Sequence, residues 1–315
     1  MESLQGLKSR LKAVKNVGQI TKAMEVVAAT KMRKAQEQAL ISRPYAFAVL
    51  KLLEKVSVNS EIESPLLFER EIKNTLVLVL ASDKGLAGSF NSQIFRLAEQ
   101  FFNTDDYRTR EGHNYQLIPI GKKAVTYANK KSFAVPAHFN GLGDVTEPGE
   151  IEEISKFISD GFLAEKWDRV VVFYTNFRSA LKQEAMMRQI LPADVKKIHQ
   201  TLREIVPEYG RYSDKSDAEL IKEGVFSAEQ FDYILEPTPA GLASALIPHL
   251  VKMQLYHIFL EAKASEHSAR RMAMKTASDN AEELSGDLQL EYNKLRQTKI
   301  TGELMEITGT LTTLS

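Results

Sequence analysis

The 315-residue chain contains no cysteine, which excludes disulfides, thiolate nucleophiles and cysteine-based metal or redox sites together. It has no excess charge of either sign. Its 41 Lys and Arg balance 41 Asp and Glu, so neither a globally basic nucleic-acid binder nor an acidic solvating tail is indicated. It also lacks any run of about 18 apolar residues, the length that a bilayer-crossing helix requires. The start MESLQGLKSRLKAV has no apolar stretch of the kind found in a secretory leader. A chain without a membrane span is therefore expected, one that can still dock on a membrane complex. Proline is absent before Pro44 and after Pro248, which leaves both ends free to form long helices. The length fits one large or two modest folded units.

What is present at the N-terminal end is a helical pattern. Leu4, Leu7, Leu11, Val14, Val17, Ile20, Met24 and Val27 recur every three or four residues, predicting one apolar stripe that faces a partner. Ala- and Lys-rich composition continues the helix to about Val58, with a bend expected near Pro44, a rod on the order of 80 Å. The C-terminal end behaves alike, and its final seam of Ile300, Leu304, Ile307, Leu311 and Leu314 steps by four and three. A helix that outruns any small domain needs a coiled-coil partner or an enclosing assembly. Residues 1–40 carry eight basic side chains against three acidic ones. With no aromatics interleaved, this bias suits an acidic protein surface better than nucleic acid.

The middle of the chain reads differently. The runs TLVLVLA, YQLIPIG and DRVVVFYTNF are almost continuously apolar, as strands covered on both faces should be. Amphipathic stretches follow Asn91, Lys122 and Pro148. Alternation of this kind predicts an α/β domain with a mostly parallel, Rossmann-like sheet. MMRQILP and FDYILEP are candidates for a fourth and a fifth strand. Residues 104–114 and 207–223 are polar and read as surface loops. The expected organisation is an N-terminal helix over 1–58, a central α/β base over 59–236 and a C-terminal helix over 237–315, the two helices antiparallel.

Candidate chemistry concentrates in TLVLVLASDKGLAGSFNSQIFRLAEQFF, residues 75–102, a strand, a turn and a helix in the order that opens many nucleotide-binding folds. The loop holds Asp83, Lys84, Gly85 and Gly88. It matches neither G-x-x-x-x-G-K-[ST] nor G-x-G-x-x-G, because it has two glycines only and its lysine precedes both. The free N–H groups of the helix start could still attract an anion. The plainer reading is a tight turn shaped by Gly85 and Gly88, with Ser89 or Asn91 capping the helix, and a docking role for the loop. NGLGDVTEPGE reads as a turn. The six histidines fall at no metal-ligand spacing and read as seam or surface residues. No G-x-S-x-G elbow is present. A free-standing nucleotide-dependent enzyme built on the central domain remains the competing reading.

The terminal segments carry a further signal. LKSRLKAVKNVGQITKAMEVVAATKMRKAQ (7–36) and EHSARRMAMKTASDNAEELSGDLQLEYNKLRQTKITGELMEI (266–307) closely resemble the two ends of the gamma subunit of F-type ATP synthase. SDKGLAGSFN resembles that family's SDRGLCGGFN element in the same order. The resemblance spans the chain and is weakest over 100–235. It implies a bacterial-type central rotor shaft within a ring of three alpha and three beta subunits, on a base attached to the epsilon subunit and the membrane c-ring. It implies a peripheral position on the cytoplasmic side of the cell (inner) membrane. Catalysis would lie on the beta subunits, and this chain would carry no catalytic residue, cofactor or metal and bind no nucleic acid.

Site residues transfer where the motif matches. Met24 corresponds to the shaft methionine near the beta-subunit lever. Asp83 and Lys84 correspond to the base loop facing the head, and Arg270, Gln297, Thr301, Glu303 and Glu306 to C-terminal coupling positions. Departures from the family pattern are Ala87, Ser89, Arg271, Lys299 and Gly302. Of these, Gly302 is expected to loosen its helix by up to about 1 kcal/mol.

Overall fold

The computed structural model describes residues 3–59, 64–104, 113–139, 141, 143, 146–194 and 238–313. The expected fifth strand at 231–237, the loop at 207–223 and most of 104–114 lie outside the described residues. In chain order the elements are α1 (Leu4–Asn59), β1 (Asn74–Leu80), α2 (Phe90–Thr104), β2 (Asn114–Ile120), α3 (Lys122–Lys131), α4 (Pro148–Leu163), β3 (Arg169–Phe177), β4 (Gln183–Leu191) and α5 (Pro239–Thr313). Two compact units result, one of residues 1–28 with 270–315 and one of residues 29–269.

The larger unit is built on a sheet of order β2-β1-β3-β4. β1 pairs in parallel with β2 and with β3, and β4 joins β3 antiparallel. Because strand side chains alternate with period two, β1 and β3 feed two cores at once. Leu76, Leu78, Leu80, Val170, Val172 and Tyr174 point to one face, where α4, α5 and the inner part of α1 cover them. Val77, Val79, Val171 and Phe173 point to the other, under α2 and α3. Burial on both faces is why these strands lack an apolar–polar alternation.

The edge strand β2 tolerates Pro119, as edges do. Its outer side is covered by the segment after α3, through the Leu117 N–H to Ala134 carbonyl bond of 2.9 Å and the Gly121 N–H to Phe139 carbonyl bond of 3.1 Å. Such covering removes an open edge on which other chains could add.

α4 starts at Pro148, with the Glu147 N–H donating to the Glu150 carboxylate at 2.7 Å, a reach-back contact that satisfies one helix-start donor. Beyond its end, the indole of Trp167 lies over Gly161, where a Cβ would come within 1.9 Å of the ring. The indole N–H donates to the Ile158 carbonyl at 2.9 Å. Arg70 closes this corner, its guanidinium donating to the Phe162 and Trp167 carbonyls at 2.6 Å each and pairing with Asp168 at 2.8 Å.

The smaller unit is an antiparallel helix pair. Thr21 and Ser278 hydroxyls meet at 2.7 Å, and a Cβ on Gly18 would sit 3.4 Å from Ala281 Cβ, so α5 advances as α1 retreats. Leu7 and Leu11 pack with Leu288, Tyr292 and Leu295. The seam on α1 therefore runs through Leu7, Leu11, Val14, Gly18, Thr21 and Ala28, following the stripe expected from hydrophobicity as far as Val14. From Val17 on, that stripe is off by one residue: Val17 and Ile20 are 52% and 60% exposed, and Val27 is exposed as well. Small side chains let the two helices approach closely, and the larger Val and Ile are left outside. α1 runs through Pro44 to Asn59, and α5 starts at Pro239 and runs through Pro248, so neither proline ends its helix.

Candidate functional site

The loop after β1 is held from within. Ser82 is fully buried, its N–H donating to Asn91 Oδ1 at 2.9 Å and its hydroxyl donating to the Lys84 carbonyl at 2.7 Å. Asn91 returns its amide to the Ser82 hydroxyl at 2.8 Å, so its side chain braces the loop instead of capping α2. Ser89 stands just before α2, and its hydroxyl accepts from the Gln93 side chain at 3.0 Å.

Asp83 reaches across to the next helix: its Oδ1 accepts the Lys122 N–H at 2.9 Å. α3 has Gly121 at its N-cap, with no side chain to cap it. Asp83 thus supplies from a distant loop both the acceptor and the negative charge that a helix start favours. Gly121 itself is obligatory, because its φ is +89° and a Cβ would lie 2.2 Å from the Ala81 carbonyl oxygen. Of the two loop glycines, Gly88 adopts a left-handed φ of 57°, whereas the other left-handed residue is Leu86, at φ 63°. Gly85 meets open space and needs no special freedom of this kind. Leu86 is 63% exposed. A bulky side chain in that region is a strained feature that the surrounding bonds must enforce.

An open α/β sheet holds a nucleotide at its switch point, here between β1 and β3. The neighbouring space at the carboxyl ends of β1 and β2, beside the loop, is filled by α5. Phe259, Ala262, Lys263 and Glu266 close over Leu80, Asp83, Phe90 and Gly121, leaving a cavity of about 20 Å³. Such a space admits about one water, against the several hundred Å³ of a small-molecule site. The loop is a turn braced from within. Among the described residues, no cluster of three or more metal-ligating side chains exists. His257 and His267 are buried on α5, seam residues and not surface ones.

The other sequence-predicted residues lie on the long helices. Met24 is half-buried on α1. It does not line the open groove of about 630 Å³ in the smaller unit, which is formed by Lys15, Gly18, Lys22 and Val26 of α1 and by Ser278, Ala281 and Glu282 of α5. Arg270 is buried. Gln297, Thr301 and Glu303 are exposed. The Thr301 hydroxyl donates to the Gln297 carbonyl at 2.9 Å, and Glu303 pairs with Lys299 at 3.8 Å. Glu306 lies on α5, but its side chain is outside the described ones. The fold brings Asp83 and Lys84 into one loop and sets Gln297, Thr301 and Glu303 along one stretch of α5. These two groups belong to different units.

From Arg296 to Met305 every side chain of α5 is exposed, including Ile300, Leu304 and Met305. The expected seam of Ile300 and Leu304 is present as a pattern, and both side chains are largely exposed among the described residues. Leu86 was missed by sequence reasoning. Its only signal was an apolar residue among turn formers.

The family described as ATP synthase matches residues 3–314. The chain is 36% identical to an ATP synthase gamma chain of Methylobacillus flagellatus over 311 residues, 98% of each chain. It is also 36% identical to one from Geobacter sp. (strain M21) over 308 residues, 98% of this chain and 97% of that one. Its fold is similar to a chain of the Euglena gracilis mitochondrial ATP synthase solved as OSCP/F1/c-ring in rotational state 3, with a TM-score of 0.61, 16% identity and coverage of 99% and 94%. It is similar to a chain of the Tetrahymena thermophila mitochondrial ATP synthase central stalk/c-ring as well, with a TM-score of 0.55, 23% identity and coverage of 82% and 99%. Matched over almost its whole length by a family description and by relatives above 30% identity, the chain belongs to the ATP synthase gamma-chain family.

Proposed function

We propose that this chain is the central shaft of a proton-translocating ATP synthase, turning inside a ring of three alpha and three beta subunits. The observation that carries the reading is the uncovered outer surface of the helices in the smaller unit. Val17, Ile20, Val26 and Val27 on α1, and Ile300, Leu304 and Met305 on α5, are large apolar residues exposed to solvent. Large apolar side chains left in solvent on both helices support an interaction surface, and an exposed helix end fits enclosure by several partners. The shaft makes and breaks no bonds. It shifts the populations of beta-subunit conformations by offering each a different surface as it turns.

In this reading Met24, Gln297, Thr301, Glu303 and Glu306 face the surrounding ring. Lys84 and Leu86 meet its lower rim, with Asp83 holding their loop in place. Arg270, being buried, acts by positioning its helix. The larger unit is the base that joins the epsilon subunit and the c-ring. The chain works peripherally, on the cytoplasmic face of the cell membrane. In keeping with that, among the described residues no helix is long and apolar enough to cross a bilayer.

The test is reconstitution of alpha and beta subunits with and without the chain, followed by ATP hydrolysis and single-molecule rotation. Rotation that requires the chain supports the reading. A chain that neither enters the ring nor alters turnover refutes it.

A further inference from the structure

α5 carries a feature that an apolar seam does not require. Where it lies against the sheet, Gln254, His257, Glu261, Ser265 and Ser268 are all buried. Their spacing of three and four puts them on one stripe of the helix. The stripe meets the β3–β4 hairpin through directional bonds. The Ser265 hydroxyl donates to the Thr175 carbonyl at 3.0 Å, and the Ser268 hydroxyl donates to the Ala180 carbonyl at 2.9 Å. Gln183 Nε2 donates to the Ser268 hydroxyl at 3.1 Å and also reaches the carbonyls of Ser179 and Ala180, each at 3.1 Å. The turn is closed in its own right, with Ser179 Oγ accepting the Lys182 N–H at 3.0 Å. One helical turn before Ser265, Glu261 stands beside the buried Tyr174 phenol, with Arg188 of β4 on the same group. Burial first, and then the Glu261 carboxylate, hold that phenol well above its ordinary pKa, while Arg188 opposes them.

Polar groups in such a place are not the cheapest way to hold a helix, since well-packed apolar side chains do as well or better. What they add is register. Apolar contacts are non-directional, so a helix on an apolar bed can rock about its axis at small loss. A hydroxyl-to-carbonyl bond weakens steeply with angle and distance, and breaking it leaves a buried group unsatisfied. Single buried polar residues fix register in helical assemblies for this reason.

We infer that the buried polar stripe of α5, keyed to the β3–β4 hairpin through Ser265, Ser268 and Gln183, is a rotational lock that prevents α5 from turning against the sheet under load. The inference rests on the shaft reading for its purpose: torque applied to the base enters a single helix running to Thr313, and it does so without slip. The lock itself is a property of the larger unit alone.

The test uses the full chain, which has no cysteine of its own. Spin labels go on cysteines placed at Leu181, which is 80% exposed at the hairpin tip, and at the exposed Ala245 of α5. The expected result for S265A/S268A is a label-to-label distance distribution about twofold wider than in the parent, because directional restraint is lost while helix propensity is kept. The control I258V, which removes packing but no directional bond, is expected to leave the width unchanged. An unchanged width in S265A/S268A, or equal widening in I258V, overturns the lock.

In the reconstituted complex the same double variant should hydrolyse ATP at the parental rate. With the rotor stalled, its base should show about twofold larger angular variance, following the same loss of restraint. Parental variance there also counts against the lock. If the parent chain itself fails to rotate, the shaft reading falls, and the spin-label widths still decide the lock.

Discussion

Replacing Asp83 by alanine removes the acceptor that the Lys122 N–H meets at 2.9 Å, at the start of a helix whose own N-cap, Gly121, has no side chain. Loss of an N-cap acceptor costs about 0.5–2 kcal/mol, and the lost charge near the helix N-terminus adds about 0.3–1 kcal/mol. The Lys123 N–H to Ser82 carbonyl bond of 3.1 Å survives, which keeps the estimate near the middle of that range, about 1.5 kcal/mol. For a unit of this size that corresponds to a fall in Tm of roughly 3–6 °C. D83N keeps an oxygen acceptor and loses only the charge, so it should recover most of the loss.

The assay is thermal and urea unfolding of the purified chain, set beside ATP hydrolysis and proton pumping in the reconstituted complex. If Asp83 works by bracing the loop, stability follows the order parent, D83N, D83A, and coupling falls with it. If its carboxylate is instead a direct contact with the ring, D83N and D83A impair coupling alike with stability unchanged. That second pattern would refute the distant-cap argument.

Further expectations follow from single positions. G161A should destabilise the larger unit: the new Cβ meets the Trp167 ring at 1.9 Å, and overpacking of about 1–3 kcal/mol exceeds the helix gain of about 0.5–1 kcal/mol. A stabilised G161A in urea unfolding would contradict this. G302A should do the reverse. Its Cβ would meet nothing within 4 Å, so α5 gains up to about 1 kcal/mol of helix propensity, readable as slower amide exchange around residue 302.

The Tyr45 hydroxyl lies 2.8 Å from His249 Nε2. Burial, and then the charge of Lys252, hold the His249 pKa below its ordinary value, so the folded chain binds this proton less well than the unfolded one. Stability from this group is present above about pH 6.5 and is lost as pH falls through the lowered folded value. H249Q should flatten that acid-side loss, and an identical pH profile would count against it. M24K, which places a charge on a half-buried shaft position, should lower protons pumped per ATP more than it lowers assembly. Unchanged pumping efficiency would remove Met24 from the coupling surface.

Much of the architecture was legible in the sequence, because it depends on local pattern. TLVLVLA, YQLIPIG and DRVVVFYTNF could be read as strands since burial on both faces demands nearly unbroken apolar runs. Both terminal helices could be read from their spacing and from the absence of proline before Pro44 and after Pro248. The incomplete glycine pattern of SDKGLAGSFN was enough to doubt a phosphate site. Other features depended on residues far apart in the chain. Val17, Ile20 and Val27 looked like a seam, yet the seam passes through Gly18, Thr21 and Ala28, because how closely two helices approach is a property of the pair and not of either strand of sequence. Asp83 looked like an exposed loop charge until the start of α3 came within 2.9 Å of it.

Periodicity and composition record what each segment needs to bury, and that much the sequence determined alone. Which surface buries it, which polar groups find partners there and which apolar faces stay uncovered were decided only by tertiary packing, since close contact and hydrogen bonding act over a few ångströms between residues as distant in the chain as Thr175 and Ser265.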